Sequence, residues 1–268
     1  VPQPKSFNEE KFANTLDEVD RVIKRHLHLD SHGIPTTVPI QMLDGNYVAV
    51  KDGFAWTLLP FVKGGFLGSD EDSLRSLGEA LARMHSIPHA ECFPLDYRMG
   101  FVLFEEVIAL STRMGVGSPF RRLLSDEANH LRSIVSDVLP TGVLHGDLFP
   151  DNVIGESGRV CAILDLEEAW IGPMCFDIAM AFVGFGWEEN RPISSRWNSL
   201  IQGYQSVRSL TDEEWGVMSE MHRYATLAIA CWRFWKHNLK EPEERLSRRY
   251  LEMIDRLEVE FDFSEASL

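Results

Sequence analysis

Leu144-His145-Gly146-Asp147-Leu148-Phe149-Pro150-Asp151-Asn152 is followed, 13 residues after its asparagine, by Asp165 in Ile163-Leu164-Asp165-Leu166-Glu167. Short apolar runs at Val143-Leu144, Val153-Ile154 and Val160 to Leu164 surround these polar residues and read as strands divided by turn chemistry. Gly155-Glu156-Ser157-Gly158 supplies a tight turn that folds the last run back and carries Asp165 towards Asn152. A carboxylate, a carboxamide five residues on and a second carboxylate after a hairpin suit phosphoryl transfer from a metal nucleotide. One acid orients an acceptor hydroxyl and takes its proton. The amide and the other acid are hard oxygen ligands of the kind Mg²⁺ selects. The spacing assigns Asp147 as base and Asn152 and Asp165 as metal ligands, with Glu167 a further candidate for metal or substrate.

Outside this inset the pattern changes. Residues 7–29 place Phe12, Leu16, Val19, Val22, Ile23 and Leu27 at three- and four-residue steps, which predicts an amphipathic helix. Val38 to Met42, Tyr47 to Val50 and Phe54 to Val62 read as antiparallel strands, separated by Asp44-Gly45-Asn46 and Lys51-Asp52-Gly53. After Lys63-Gly64-Gly65 the apolar residues Leu74, Leu77, Leu81 and Met84 share a helical face, and most of the remaining chain is helical. Lys63 to Gly68 therefore marks a boundary between a partial N-terminal lobe, residues 1–63, and a helical C-terminal lobe, residues 64–268. The predicted fold class is α+β.

Composition narrows the partners. The 268 residues are 44% hydrophobic and 25% charged, which a disordered chain is not. Lys and Arg number 26 against 41 Asp and Glu, a formal charge of −15 that repels phosphate backbones and anionic lipid, so neither nucleic acid nor membrane is expected as a partner. No apolar run approaches the roughly 18 to 20 residues that cross a bilayer. Cys92, Cys161, Cys175 and Cys231 lie far apart, without metal or disulfide spacing, as in a reduced cytoplasmic protein.

Three ordered blocks carry a resemblance: His145-Gly-Asp147-x-x-x-x-Asn152, then Leu164-Asp165-Leu-Glu167, then Gly172-Pro-x-x-x-Asp177-Ile-Ala179. They resemble the signature of aminoglycoside phosphotransferase-like small-molecule kinases, which include choline and homoserine kinases. Leu77 to His85 is similar to the helix after the hinge in such enzymes, and Gly203 to Thr211 looks most like the homoserine kinase branch. The resemblance covers roughly residues 38 to 235. It implies a protein-kinase-like fold, a small sheet lobe over a helical lobe, with ATP and Mg²⁺ as cofactors and a small hydroxylated acceptor as partner. It also implies a hinge near adenine at Phe61, Val62 and Lys63, and a supporting role for Asp177 under the catalytic loop. His145 reads as a structural anchor as well.

The glycine-rich turn and strand lysine of such enzymes are not recognisable before residue 7, so they are expected upstream of Val1. Lys5 is the alternative, paired with Glu18 or with the equally spaced Asp17 or Asp20. Lys51 reads as a solvated turn residue. Trp170, Phe185, Trp187, Trp232, Phe234 and Trp235 read as core, or as a box for an alkylammonium. Trp232 and Arg233 are substrate candidates, Arg233 pairing either with a substrate carboxylate or with an internal acid. The favoured function is an ATP-dependent kinase for a homoserine-like amino acid. A choline- or aminoglycoside-type kinase, and a non-catalytic kinase-like binding protein, are the alternatives. Gly146 after His145, and Asp-Leu-Glu in place of Asp-Phe-Gly, argue against a protein kinase.

Overall fold

The computed structural model describes residues 5–6, 16–51, 54–135 and 138–264. Near the N-terminus, β1 (Lys5–Ser6), β2 (Ala49–Lys51) and β3 (Phe54–Trp56) form an antiparallel sheet in the order β1-β3-β2, with Lys5 in register with Ala55. Between β1 and β2 runs α1 (Leu16–Ser31), its first turn holding Asp17 and Glu18, where the helix dipole favours carboxylates. Ile23 and Leu29 bury its apolar stripe. The part of the expected helix before Leu16, and the Asp52-Gly53 half of the expected turn, lie outside the described residues.

Two strand expectations in this lobe need correction. Val38 to Met42 is not a strand: it is an extended segment in which the Ile40 N–H donates to the Leu58 carbonyl at 2.8 Å. The run from Phe54 stops as a strand at Trp56 rather than reaching Val62. Pro60 has no N–H to add to a ladder, and from Thr57 the chain runs outside any strand until β4, with the Leu58 carbonyl bonded to Ile40.

The chain then re-enters a ladder at β4 (Gly65–Phe66), which pairs with β6 (Val153–Glu156), itself paired with β7 (Arg159–Ile163). β5 (Thr141–Leu144) pairs antiparallel with β8 (Trp170–Pro173). Around these short ladders lie α2 (Glu71–His85), α3 (Phe101–Met114), α4 (Ser118–Ile134) and α5 (Met174–Phe185). They are followed by α6 (Ser194–Gln205), α7 (Asp212–Gly216), α8 (Met218–Phe234) and α9 (Leu251–Leu257). Asp70 caps α2 by accepting from the Ser73 N–H at 3.1 Å.

α5 is apolar almost all round, which suits a helix enclosed on every side, and Asp177 sits in it with no exposed surface. α2 and α6 approach through glycines: a Cβ on Gly78 would lie 2.1 Å from the Leu200 carbonyl, and one on Gly203 would lie 2.0 Å from that of Arg75. Beyond α8 the helix widens to π geometry over Trp235–Lys240. Among the described residues no helix is long and apolar enough to cross a membrane.

Candidate active site

The loop from β5 to Asn152 is set from behind by one carboxylate. Asp177 on α5 accepts the backbone N–H of His145 at 2.7 Å and that of Gly146 at 2.8 Å. Its Oδ2 also faces His85 Nε2 at 3.3 Å, and His85 Nδ1 meets the Tyr204 hydroxyl at 2.9 Å. Burial alone would push the Asp177 carboxyl up, yet hydrogen bonding and charge from His85, together with His145, leave it below the usual range. Arg208 continues the chain outward, donating to the Tyr204 hydroxyl at 3.3 Å and forming a two-point pair with Glu214 at 3.0 and 2.9 Å.

Two more contacts fix the loop's front. His145 Nε2–H donates to the Leu164 carbonyl at 2.7 Å, while Nδ1 accepts the Asp147 N–H at 3.2 Å. Gly146 has φ +82°, and a Cβ there would lie 2.6 Å from the Glu168 carbonyl, so this position needs glycine. Its own carbonyl accepts the Tyr97 hydroxyl at 2.6 Å, and Tyr97 stacks on Trp170.

These restraints bring Asp147, Asn152 and Asp165 to one place. Asn152 Nδ2 donates to the Asp147 carbonyl at 2.7 Å, leaving Oδ1 as its acceptor. The Leu164 N–H donates to the Asn152 carbonyl at 2.8 Å, which seats Asp165 beside the loop. Asp165 has a left-handed φ of +53°, and its carboxylate caps the turn Leu166–Glu168. Among the described residues no three His, Cys, Asp or Glu side chains converge into a ready metal cage. Asp165 with the Asn152 oxygen is nonetheless the donor set Mg²⁺ takes when phosphates complete its shell.

Two clefts meet at this turn. The first, about 580 Å³ and largely apolar, lies between α1 and residues 57–62, with Val22, Ala55, Phe61 and Leu164 among its walls. The second, about 460 Å³ and polar, is walled by Asp147, Glu168, Trp232 and the segment after α8. Asp165 and Glu167 border both. Burial, with the charges of Glu168, Asp165 and Asp151, raises the Asp147 carboxyl to about 7. Arg98 binds the Glu168 carboxylate, with Nε at 3.1 Å from it. A larger cavity, about 720 Å³, lies between α8 and the C-terminal segment and holds none of the motif residues.

A model of the phosphotransferase enzyme family matches residues 8–210. The chain belongs to that family. A homoserine kinase from Rhizobium johnstonii is 26% identical over 208 residues, covering 75% of this chain and 64% of the relative. This chain thus spans a little under two thirds of that relative's length. An amicoumacin kinase solved with AMP-PNP and Ca²⁺ superposes with a TM-score of 0.72 at 14% identity, over 93% of this chain and 81% of that one. A choline/ethanolamine kinase family protein from Mesorhizobium loti does so with a TM-score of 0.67 at 14% identity, over 92% and 81%. These likenesses establish the protein-kinase-like α+β fold.

Within this family member the expected site residues separate into groups. Phe61 and Val62 line the apolar cleft, whereas Lys63 lies outside it, exposed and 3.7 Å from Glu156. Lys51 is exposed at the end of β2. The side chain of Lys5 is outside the described residues. Trp232 and Arg233 line the polar cleft, but Arg233 is already bonded to Glu252 at 2.9 Å and to the Arg249 carbonyl at 3.3 Å, so the internal-acid alternative is the one observed. Trp170, Phe185, Trp187, Phe234 and Trp235 are buried in the core, and only Trp232 of that group is half-exposed at the cleft. The Gly203 to Thr211 stretch touches neither cleft. Through Tyr204 and Arg208 it supports Asp177 instead. Nothing local in the sequence marks Tyr97 or Arg98 for these contacts, and His85 is marked only as the residue that closes the α2 motif.

Proposed function

We propose that the protein transfers the terminal phosphoryl group of ATP to the hydroxyl of a small acceptor, an amino acid of the homoserine type being favoured. The observation that carries this is the pair of clefts sharing Asp165 and Glu167, one apolar and sized for a nucleoside, the other polar and holding Asp147. Asn152 and Asp165 would hold Mg²⁺, which when bound neutralises phosphate charge. Asp147 orients the acceptor hydroxyl and receives its proton. The acceptor oxygen forms its bond to the γ-phosphorus as the bond from that phosphorus to the β–γ bridging oxygen breaks, and ADP departs with that oxygen. A group held near pH 7 by its surroundings is suited to taking a proton and giving it up again.

The acceptor preference rests on the polar cleft's far wall. Lys240 and Arg249 line it in a chain whose net charge is −15, beside Arg233 and Lys236, which Glu252 and Glu241 already engage, and the same cleft carries the acids of the loop. A zwitterion with a hydroxyl satisfies both walls, carboxylate to the cations and ammonium to the acids; choline satisfies only one. The experiment is ADP release with homoserine, choline and an aminoglycoside, in the parent and in Asp147→Asn. Release with none of a broad hydroxylated panel would overturn the kinase reading in favour of a binding protein. A preference for choline would overturn the acceptor reading alone.

A further inference from the structure

Asp165 is bracketed by carbonyls that α1 holds. On its C-terminal side, Arg25 donates from Nη1 to the carbonyls of Leu166 at 2.8 Å and Glu167 at 3.0 Å, and from Nε to the Cys92 carbonyl at 2.8 Å. On its N-terminal side, the Thr36 hydroxyl donates to the Ile163 carbonyl at 2.8 Å and so accepts from His26 Nδ1–H, also at 2.8 Å. The next turn of the same helix face, Val19, Val22 and Ile23, lines the apolar cleft, as does His26.

Arg25 is 2% exposed. A guanidinium taken that far from water is costly unless its donors are used, and an apolar side chain would fill the space with less penalty. What the planar guanidinium does that no apolar side chain can is fix three carbonyls from two separate segments at once. We infer that Arg25 and His26 are positioning residues that set the place of Asp165, so that the α1 wall of the apolar cleft and the acidic turn move as one body. Anything that seats against Val19, Val22 and His26 then also places Asp165 for a metal-bound phosphate. The inference rests on the reading of Asp165 as a metal-holding acid.

The test is calorimetric binding of ATP with and without Mg²⁺, on the whole chain, in the parent, Arg25→Gln, Arg25→Lys and Thr36→Val. Arg25→Gln is expected to raise the Mg²⁺ concentration giving half the gain in ATP affinity by about tenfold, with metal-free ATP binding unchanged. Lysine should restore part of that loss, and Thr36→Val, which keeps the side-chain shape, should shift the midpoint by about threefold. Equal losses with and without metal, or a parent whose ATP binding ignores Mg²⁺, would overturn the inference. If Arg25→Gln does not fold, an unshifted Thr36→Val overturns it. Persistence of the Mg²⁺ shift in a protein that releases ADP with no acceptor would overturn the kinase reading and leave this inference standing.

Discussion

Replacing Asp177 by Asn keeps the shape of the side chain and removes its charge. The native carboxylate accepts three bonds, from the N–H groups of His145 and Gly146 and from His85. Asn keeps one carbonyl oxygen, but its amide nitrogen must face an N–H that it cannot accept from. Each buried donor left alone costs about 1–3 kcal/mol, and losing the charge weakens the bonds that remain, so the whole comes to about 3–5 kcal/mol. For a chain of this length that is a fall in Tm on the order of 10 °C. Differential scanning calorimetry of the parent, Asp177→Asn and Asp177→Ala at pH 7 measures it. Because the folded carboxyl titrates below its ordinary value of about 3.9, its contribution is fully present above about pH 4 and is lost as the pH falls through the folded value. The gap in Tm between parent and variant should therefore be constant from pH 5 to 7 and close below pH 4. An Asp177→Asn protein that melts with the parent at pH 7, or a gap that widens in acid, would refute the assignment.

Three further outcomes are expected. With Asp147 titrating near 7 and acting as its ionised form, acceptor-dependent kcat/KM should rise with pH to a plateau above 7 and fall about tenfold per unit well below it; Asp147→Asn should abolish turnover and keep ATP binding. Arg98→Met leaves the Glu168 carboxylate without its guanidinium, so the acid limb of the pH profile should move upward by up to about one unit, equivalent to ~1.4 kcal/mol. An unmoved limb would show that Arg98 does not offset the charge of Glu168 at Asp147. Gly146→Ala should cost ~1–3 kcal/mol in denaturant unfolding, since the new Cβ meets the Glu168 carbonyl in a left-handed backbone conformation. An unchanged midpoint would contradict that close approach.

The motif loop was legible because its chemistry is local. Asp147 and Asn152 are five residues apart, and the hairpin that returns Asp165 announces itself by Gly155 and Gly158. α2 is legible because helical periodicity is a property of the segment itself, whereas α5 and α8 enter only within a remainder read as mostly helical. Arg25 and Arg98 are not legible: their partners are carbonyls and a carboxylate 67 to 142 positions away, and nothing near them in sequence marks that use. The Val38 to Met42 run misled for a related reason. Pro39 borders the apolar cleft and Ile40 is exposed, and a strand differs from such a segment only by partners that lie elsewhere in the chain. Arg233 stands among aromatic neighbours in sequence, while the acid that engages it, Glu252, belongs to another helix.

The amides that Asp177 holds sit in what is nominally a loop, yet His145 and Gly146 are as buried as the helices behind them. Both amides bond to Asp177, which His85 of α2 and, through it, Tyr204 of α6 hold in place, so three helices back one loop. Their hydrogen–deuterium exchange is therefore expected to be among the slowest in the chain and to follow global unfolding. On that expectation the molecule keeps the backbone of its motif loop in its most slowly opening unit, and adjustment to ligands falls to the cleft walls around it.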